Sequence, residues 1–77
     1  MSTLIDVDRG MGIAATIGDH LEAQVGTCPV SRIRLVTWVM GQFGDAQGLV
    51  DAEKDLPQLP SKVRMDYAAW IHTFKHA

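Results

Sequence analysis

Ala14, Ile17, Leu21 and Val25 recur at intervals of three, four and four, which on a helix places them on one apolar stripe. Asp19, His20, Glu22 and Gln24 fall mainly off that stripe, so residues 11–25 are predicted to form an amphipathic helix. Gly26 stands where a left-handed C-cap residue is expected. Gly12 and Gly18 each weaken such a helix by roughly 1 kcal/mol relative to alanine. Packing, or a close backbone approach at Gly18, must therefore hold it together. The preceding residues 2–10 mix Leu4, Ile5 and Val7 with polar positions and read as a brief strand or a leading arm. Asp6 and Asp8 suit a helix N-cap or a first helical turn.

Residues 31–43 are the most apolar segment and admit two periodicities. At helical spacing, Leu35, Val36, Val39, Met40 and Phe43 make a broad stripe between an N-cap at Ser31 and a terminator at Gly44. At strand spacing, Ile33, Leu35, Thr37 and Val39 alternate with Arg32, Arg34, Val36 and Trp38. The helix is preferred because the stripe continues through Phe43 and both caps agree with it.

Residues 45–56 are predicted as a short acidic helix capped by Asp45, with Leu49, Val50 and Leu56 inward and Gly48 weakening it. Pro57 and Pro60 end it and enforce an extended connector, because the residue before a proline is driven out of the helical region. Ser61 then caps a last helix over 62–76, with Val63, Tyr67, Trp70, Ile71 and Phe74 on one face. The expected fold is all-α, a compact bundle of three to four short helices forming a single domain over 1–77. The alternative is a small α+β domain with strands at 3–7 and 31–40.

Composition narrows the class further. A chain of 77 residues has a thin core, yet 47% hydrophobic content and a net charge of −2 are those of a folded domain rather than a disordered one. The single cysteine, Cys28, excludes an intramolecular disulfide and favours a reducing compartment. No apolar run approaches the length of a membrane span, and no signal peptide is evident, so a cytoplasmic location is expected. The charge is distributed in blocks: residues 1–31 and 45–56 are acidic, while 32–44 and 57–77 are basic. Pairing between these blocks within the fold is the simplest expectation.

Candidate chemistry is sparse. Gly10-Met11-Gly12-Ile13-Ala14-Ala15 matches G-x-G-x-x-A, but a dinucleotide site also needs a second parallel strand with an acidic residue and a longer chain. It is read instead as a flexible lead into the first helix. His72 and His76, four apart, share a helix face and could supply two metal ligands, but the sequence offers no clear remainder of the set. They are read as cations suited to a helix C-terminus. Cys28, just before Pro29, has only His20 as a nearby base and is read as a small half-buried residue. No nucleophile elbow, phosphate loop or carboxylate pair is present, so no enzymatic activity, cofactor or metal is expected.

What remains is surface. On a helix over 31–43, Trp38 projects away from the Leu35/Val39/Phe43 stripe, between Arg34 one turn earlier and Gln42 one turn later. That spacing permits an Arg34–Trp38 cation–π contact, and Trp and Arg are enriched at interface hot spots. Met65, Ala68 and Ala69 form a flatter apolar strip on the last helix. The expected function is a non-catalytic protein-interaction module: a small regulator, adaptor or inhibitor that occludes a partner protein through Trp38, Arg34, Gln42, Met65 and Ala69. Anti-host factors of phages and mobile elements belong to this class by analogy of size and charge. One alternative is a nucleic-acid-binding accessory protein using Arg32, Arg34, Lys62 and Arg64, provided their helices lie side by side. Another is a small structural component built from homodimers or larger homo-oligomers.

Overall fold

The computed structural model describes residues 3–44, 46–56 and 58–75, with side chains described for 9–44, 47–56 and 58–74. Among these, the chain forms α1 (Thr3–Gln24), α2 (Arg32–Phe43), α3 (Ala46–Lys54) and α4 (Ser61–Lys75), and no strand. The all-α expectation holds and the α+β alternative does not. Residues 3–7 open α1, and 31–40 lie at and within α2, where Leu35, Val36 and Val39 are buried at helical spacing.

α1 is longer than its clearest stripe. It begins eight residues before the predicted start and runs through Gly10 and Gly12 without a break. The glycine motif is thus helix interior rather than a flexible lead. Gly10 is buried, and a Cβ there would sit 3.4 Å from a Leu49 methyl carbon of α3. At Gly10, therefore, α1 lies against α3, and packing there offsets the weak local propensity. Further along, Ile13, Ala14, Ile17 and Leu21 are buried as the core face, whereas Val25 lies beyond the helix and is 37% exposed. Gly26 does not take the left-handed conformation expected of it; among the described residues only Gly44 has a positive φ.

Gly44 closes α2 with φ 77°, and its N–H donates to the Met40 carbonyl at 3.2 Å. At the other end, Ser31 is the N-cap in extended conformation, but its side chain makes no capping bond. Its carbonyl accepts from the Arg34 and Leu35 amides at 3.1 and 3.2 Å. α3 buries Leu49 and Ala52, then a short turn carries the half-buried Leu56 toward the connector. The Asp45 cap lies outside the described residues. Leu59, between the two prolines, is 3% exposed and anchors the connector to the core. The sequence had offered that segment only as a spacer.

α1 is the hub. It packs against α2 and α3 and, more lightly, α4. Its 22 residues rise roughly 33 Å, in keeping with the 43 × 23 × 17 Å dimensions of the molecule. α2 comes close at Gly18, since a Cβ there would lie 3.0 Å from Leu35 Cδ2 and 3.1 Å from Leu35 Cγ. The close approach expected at Gly18 is thus real. α4 reaches the far end of α1: Tyr67, fully buried, donates its hydroxyl to the Gly26 carbonyl at 2.7 Å. No buried side-chain nitrogen or oxygen among the described residues lacks a partner.

Candidate protein-binding surface

α2 and α4 meet through aromatic side chains. Trp38 stacks on Trp70 with centroids 5.0 Å apart and planes 15° apart, and meets Tyr67 edge-on at 5.8 Å. Trp70 in turn meets Phe74 at 5.4 Å in a T-shaped pair. The Arg34 guanidinium lies 5.2 Å from the centre of the Phe74 ring. Position 34 thus faces 74 and 38 faces 70, so the two helices run antiparallel along this seam.

This corrects the sequence reading of Trp38. The indole is half-buried between helices rather than projecting freely, because α4 lays its own aromatic row against it. The cation–π contact exists, but Arg34 makes it with Phe74 across the seam and not with Trp38 in its own helix. Helix periodicity could bring Arg34 and Trp38 together on paper; only the placement of α4 could show that a better ring was available.

Beside the seam, Ile33, Arg34, Thr37, Trp38 and Trp70 line an open groove of about 280 Å³. Ile33 is 65% exposed there. Sequence reasoning passed over it because it was assigned only to the strand alternation, yet it is the most exposed large apolar residue of α2. Thr37 donates its hydroxyl to the Ile33 carbonyl at 2.8 Å, so its donor is already engaged within α2.

The five candidate partner contacts, Trp38, Arg34, Gln42, Met65 and Ala69, fall in separate places. Arg34 and Trp38 line the groove just described. Met65, 69% exposed, lines a second groove of about 490 Å³ with Gln24, Val25, Ser61, Arg64 and Ala68, at the junction of α1 and α4. Positions 65 and 70 are about 140° apart around a helix, so one cannot join the other's groove. Gln42 and Ala69 are exposed but line neither groove.

The four basic residues of the nucleic-acid alternative are also dispersed. Arg32 turns toward α1, pairing with Asp19 at 2.8 Å and Glu22 at 3.9 Å and donating to the Ala15 carbonyl at 3.4 Å. Lys62 pairs with Asp66 at 2.7 Å within α4, and Arg64 donates to the Ser61 hydroxyl at 3.1 Å. The antiparallel register puts the start of α2 beside the end of α4, so Arg32 and Arg34 are separated from Lys62 and Arg64 by most of a helix. Pairing between blocks is realised at Arg32. The acidic α3 enters no ion pair among the described residues; Asp51 instead accepts from Gln47 at 3.0 Å.

Around the loop after α1, the Cys28 amide donates to Glu22 Oε2 at 2.9 Å, and the thiol is free and half-buried. Burial chiefly pushes the Tyr67 hydroxyl up to about 12, with smaller contributions from Cys28 and Glu22 nearby. The phenol is therefore a neutral structural donor. His72 is exposed, and His76 lies outside the described residues. Among the described residues no cluster of three or more His, Cys, Asp or Glu side chains is placed to hold a metal ion. None of the described helices is long and apolar enough to cross a membrane.

No family model matches this chain, and no curated protein or solved structure matches it either. The class defined by the fold is a small all-α bundle with an aromatic seam.

Proposed function

We propose that this chain is a non-catalytic protein-interaction module, a small regulator, adaptor or inhibitor that covers part of a partner protein's surface. The observation that carries this reading is the α2/α4 groove, where exposed Ile33 stands beside Arg34 and two stacked tryptophans. Trp and Arg are the residue types most enriched at binding hot spots, and aliphatic neighbours exclude water around them. The rings are already ordered by their mutual stacking and by Tyr67. Docking on them therefore gives up less conformational entropy than docking on a loose surface.

The test is affinity capture from nuclease-treated host lysate with three baits: wild type, Ile33→Glu and Met65→Glu. Both substitutions fall at exposed positions and are expected to change stability by less than about 0.5 kcal/mol. A stoichiometric protein retained by wild type and Met65→Glu, but lost with Ile33→Glu, is the expected result. Absence of a protein partner, or capture indifferent to Ile33→Glu, would remove the reading.

A further inference from the structure

The walls of the α2/α4 groove differ from the rest of the molecule in charge. α2 contains Arg32 and Arg34 and no aspartate or glutamate, and α4 sets Lys62, Arg64, His72 and Lys75 against one acid, Asp66, which is paired with Lys62 at 2.7 Å, although the chain as a whole carries a net −2. Of the cations on α2, Arg32 is committed to Asp19 and Glu22 of α1. Arg34 meets only the face of Phe74, a contact that leaves its outward N–H groups unpaired with any carboxylate among the described residues. The groove therefore combines an apolar floor of Ile33, Trp38 and Trp70 with a rim cation poised for an anionic partner.

We infer that the occupant of this groove is an acidic amphipathic helix of a partner protein, whose apolar stripe packs on Ile33 and the two tryptophans while a flanking Asp or Glu engages Arg34. This rests on the interaction reading above and names the chemistry of the partner. A helix lying between two antiparallel helices presents residues at i, i+3, i+4 and i+7 to such a floor, and guanidinium–carboxylate pairing fixes its register. Single-stranded nucleic acid is disfavoured by the same geometry. Trp38 and Trp70 each spend a ring face on the other, and Phe74 meets Trp70 edge-to-face, so base stacking has lost much of its platform.

The experiment is selection of helical peptides from a displayed random library on the full chain, with Ile33→Glu and Arg34→Glu chains in parallel. Melting curves verify that each variant is folded. Peptides selected on the wild type should carry Asp or Glu beside an apolar i, i+4 stripe. Affinity for the best of them, read by fluorescence anisotropy, should fall at least about tenfold with either variant, and should weaken as salt rises. Selection on Arg34→Glu should turn the flanking preference to Lys and Arg. Failure to enrich any peptide, enrichment of basic or uncharged sequences on the wild type, or affinity unaffected by Ile33→Glu overturns the inference. So does tighter binding of a single-stranded oligonucleotide than of any selected peptide, or a self-association that blocks the groove. If lysate capture still depends on Ile33 while the peptides show no acidic preference, the interaction reading stands and only the partner chemistry is wrong.

Discussion

Along its contact with α1, α2 lays Leu35 directly over Gly18, with no room for a Cβ of ordinary clearance. Along its contact with α4, it places one large indole against another and against a buried phenol. The first seam is made close by the absence of a side chain, and the second is spanned by the largest side chains in the sequence. Added volume should therefore damage the first, and removed volume the second. This difference also separates structure from surface. The glycine seam is closed, whereas the aromatic seam leaves an edge that opens into the groove.

The largest expected effect is on the aromatic side. Trp70→Ala should destabilise the fold by about 3 to 4 kcal/mol, because it removes the stacking partner of Trp38 and the T-shaped partner of Phe74 together. Denaturant unfolding of Trp70→Ala, Trp38→Ala and the double variant should reveal a coupling of about 0.5 to 1.5 kcal/mol. Strict additivity would mean the rings merely share a neighbourhood. Trp38→Ala is accordingly a stability variant, and binding losses caused by it must be compared with those of Ile33→Glu.

The alkaline limit of the same seam comes next. Tyr67 is held neutral with its pKa near 12, above the ordinary value of 10. An unfolded chain ionises its tyrosine first, so this contribution is complete below pH 10 and is lost as pH rises toward 12. The loss amounts to about 2 to 3 kcal/mol. Since the chain has one tyrosine, ultraviolet titration of phenolate reads this group alone. A midpoint near 10 with the fold intact would contradict its burial. Tyr67→Phe should remove this component of alkaline loss while costing about 1 kcal/mol at neutral pH through the bond to the Gly26 carbonyl.

On the glycine side, Gly18→Val should destabilise by about 2 kcal/mol, since its Cβ alone already presses on Leu35 Cγ and Cδ2. Gly12 makes the control. A Cβ there has nothing within 4 Å, so Gly12→Ala should stabilise by about 0.5 to 1 kcal/mol through helix propensity. Thermal melts of both variants test the contrast, and a stabilised Gly18→Val would dissolve it. The smallest effect is at the rim: Arg34→Gln should cost about 0.5 to 1 kcal/mol by removing the cation from the Phe74 ring.

Much of the architecture was legible in the sequence because local periodicity reports which face of a helix is apolar. Ala14, Ile17 and Leu21, then Leu35, Val36 and Val39, then Tyr67 and Ile71 are all buried as their spacing required. Where periodicity was weak, the reading failed. The first two turns of α1, residues 3–10, carry no clear helical stripe and end on Gly10, whose burial is explained by the proximity of Leu49 across space. The candidate surface was legible only in its ingredients. Trp38 and Arg34 were found by residue type and spacing, but Ile33 was passed over and Met65 was joined to a face it does not share.

Sequence alone determined that this chain is helical, where most of its helices stop, and which residues of its clearest stripes avoid water, since these follow from backbone stereochemistry and from the burial of apolar side chains at fixed angular spacing. Tertiary structure alone decided which ring Arg34 covers, that Trp38 is shared between two helices, and that Leu59 anchors the proline-bounded connector. Those outcomes depend on how helices far apart in sequence are set against one another, and no spacing within a single helix encodes that.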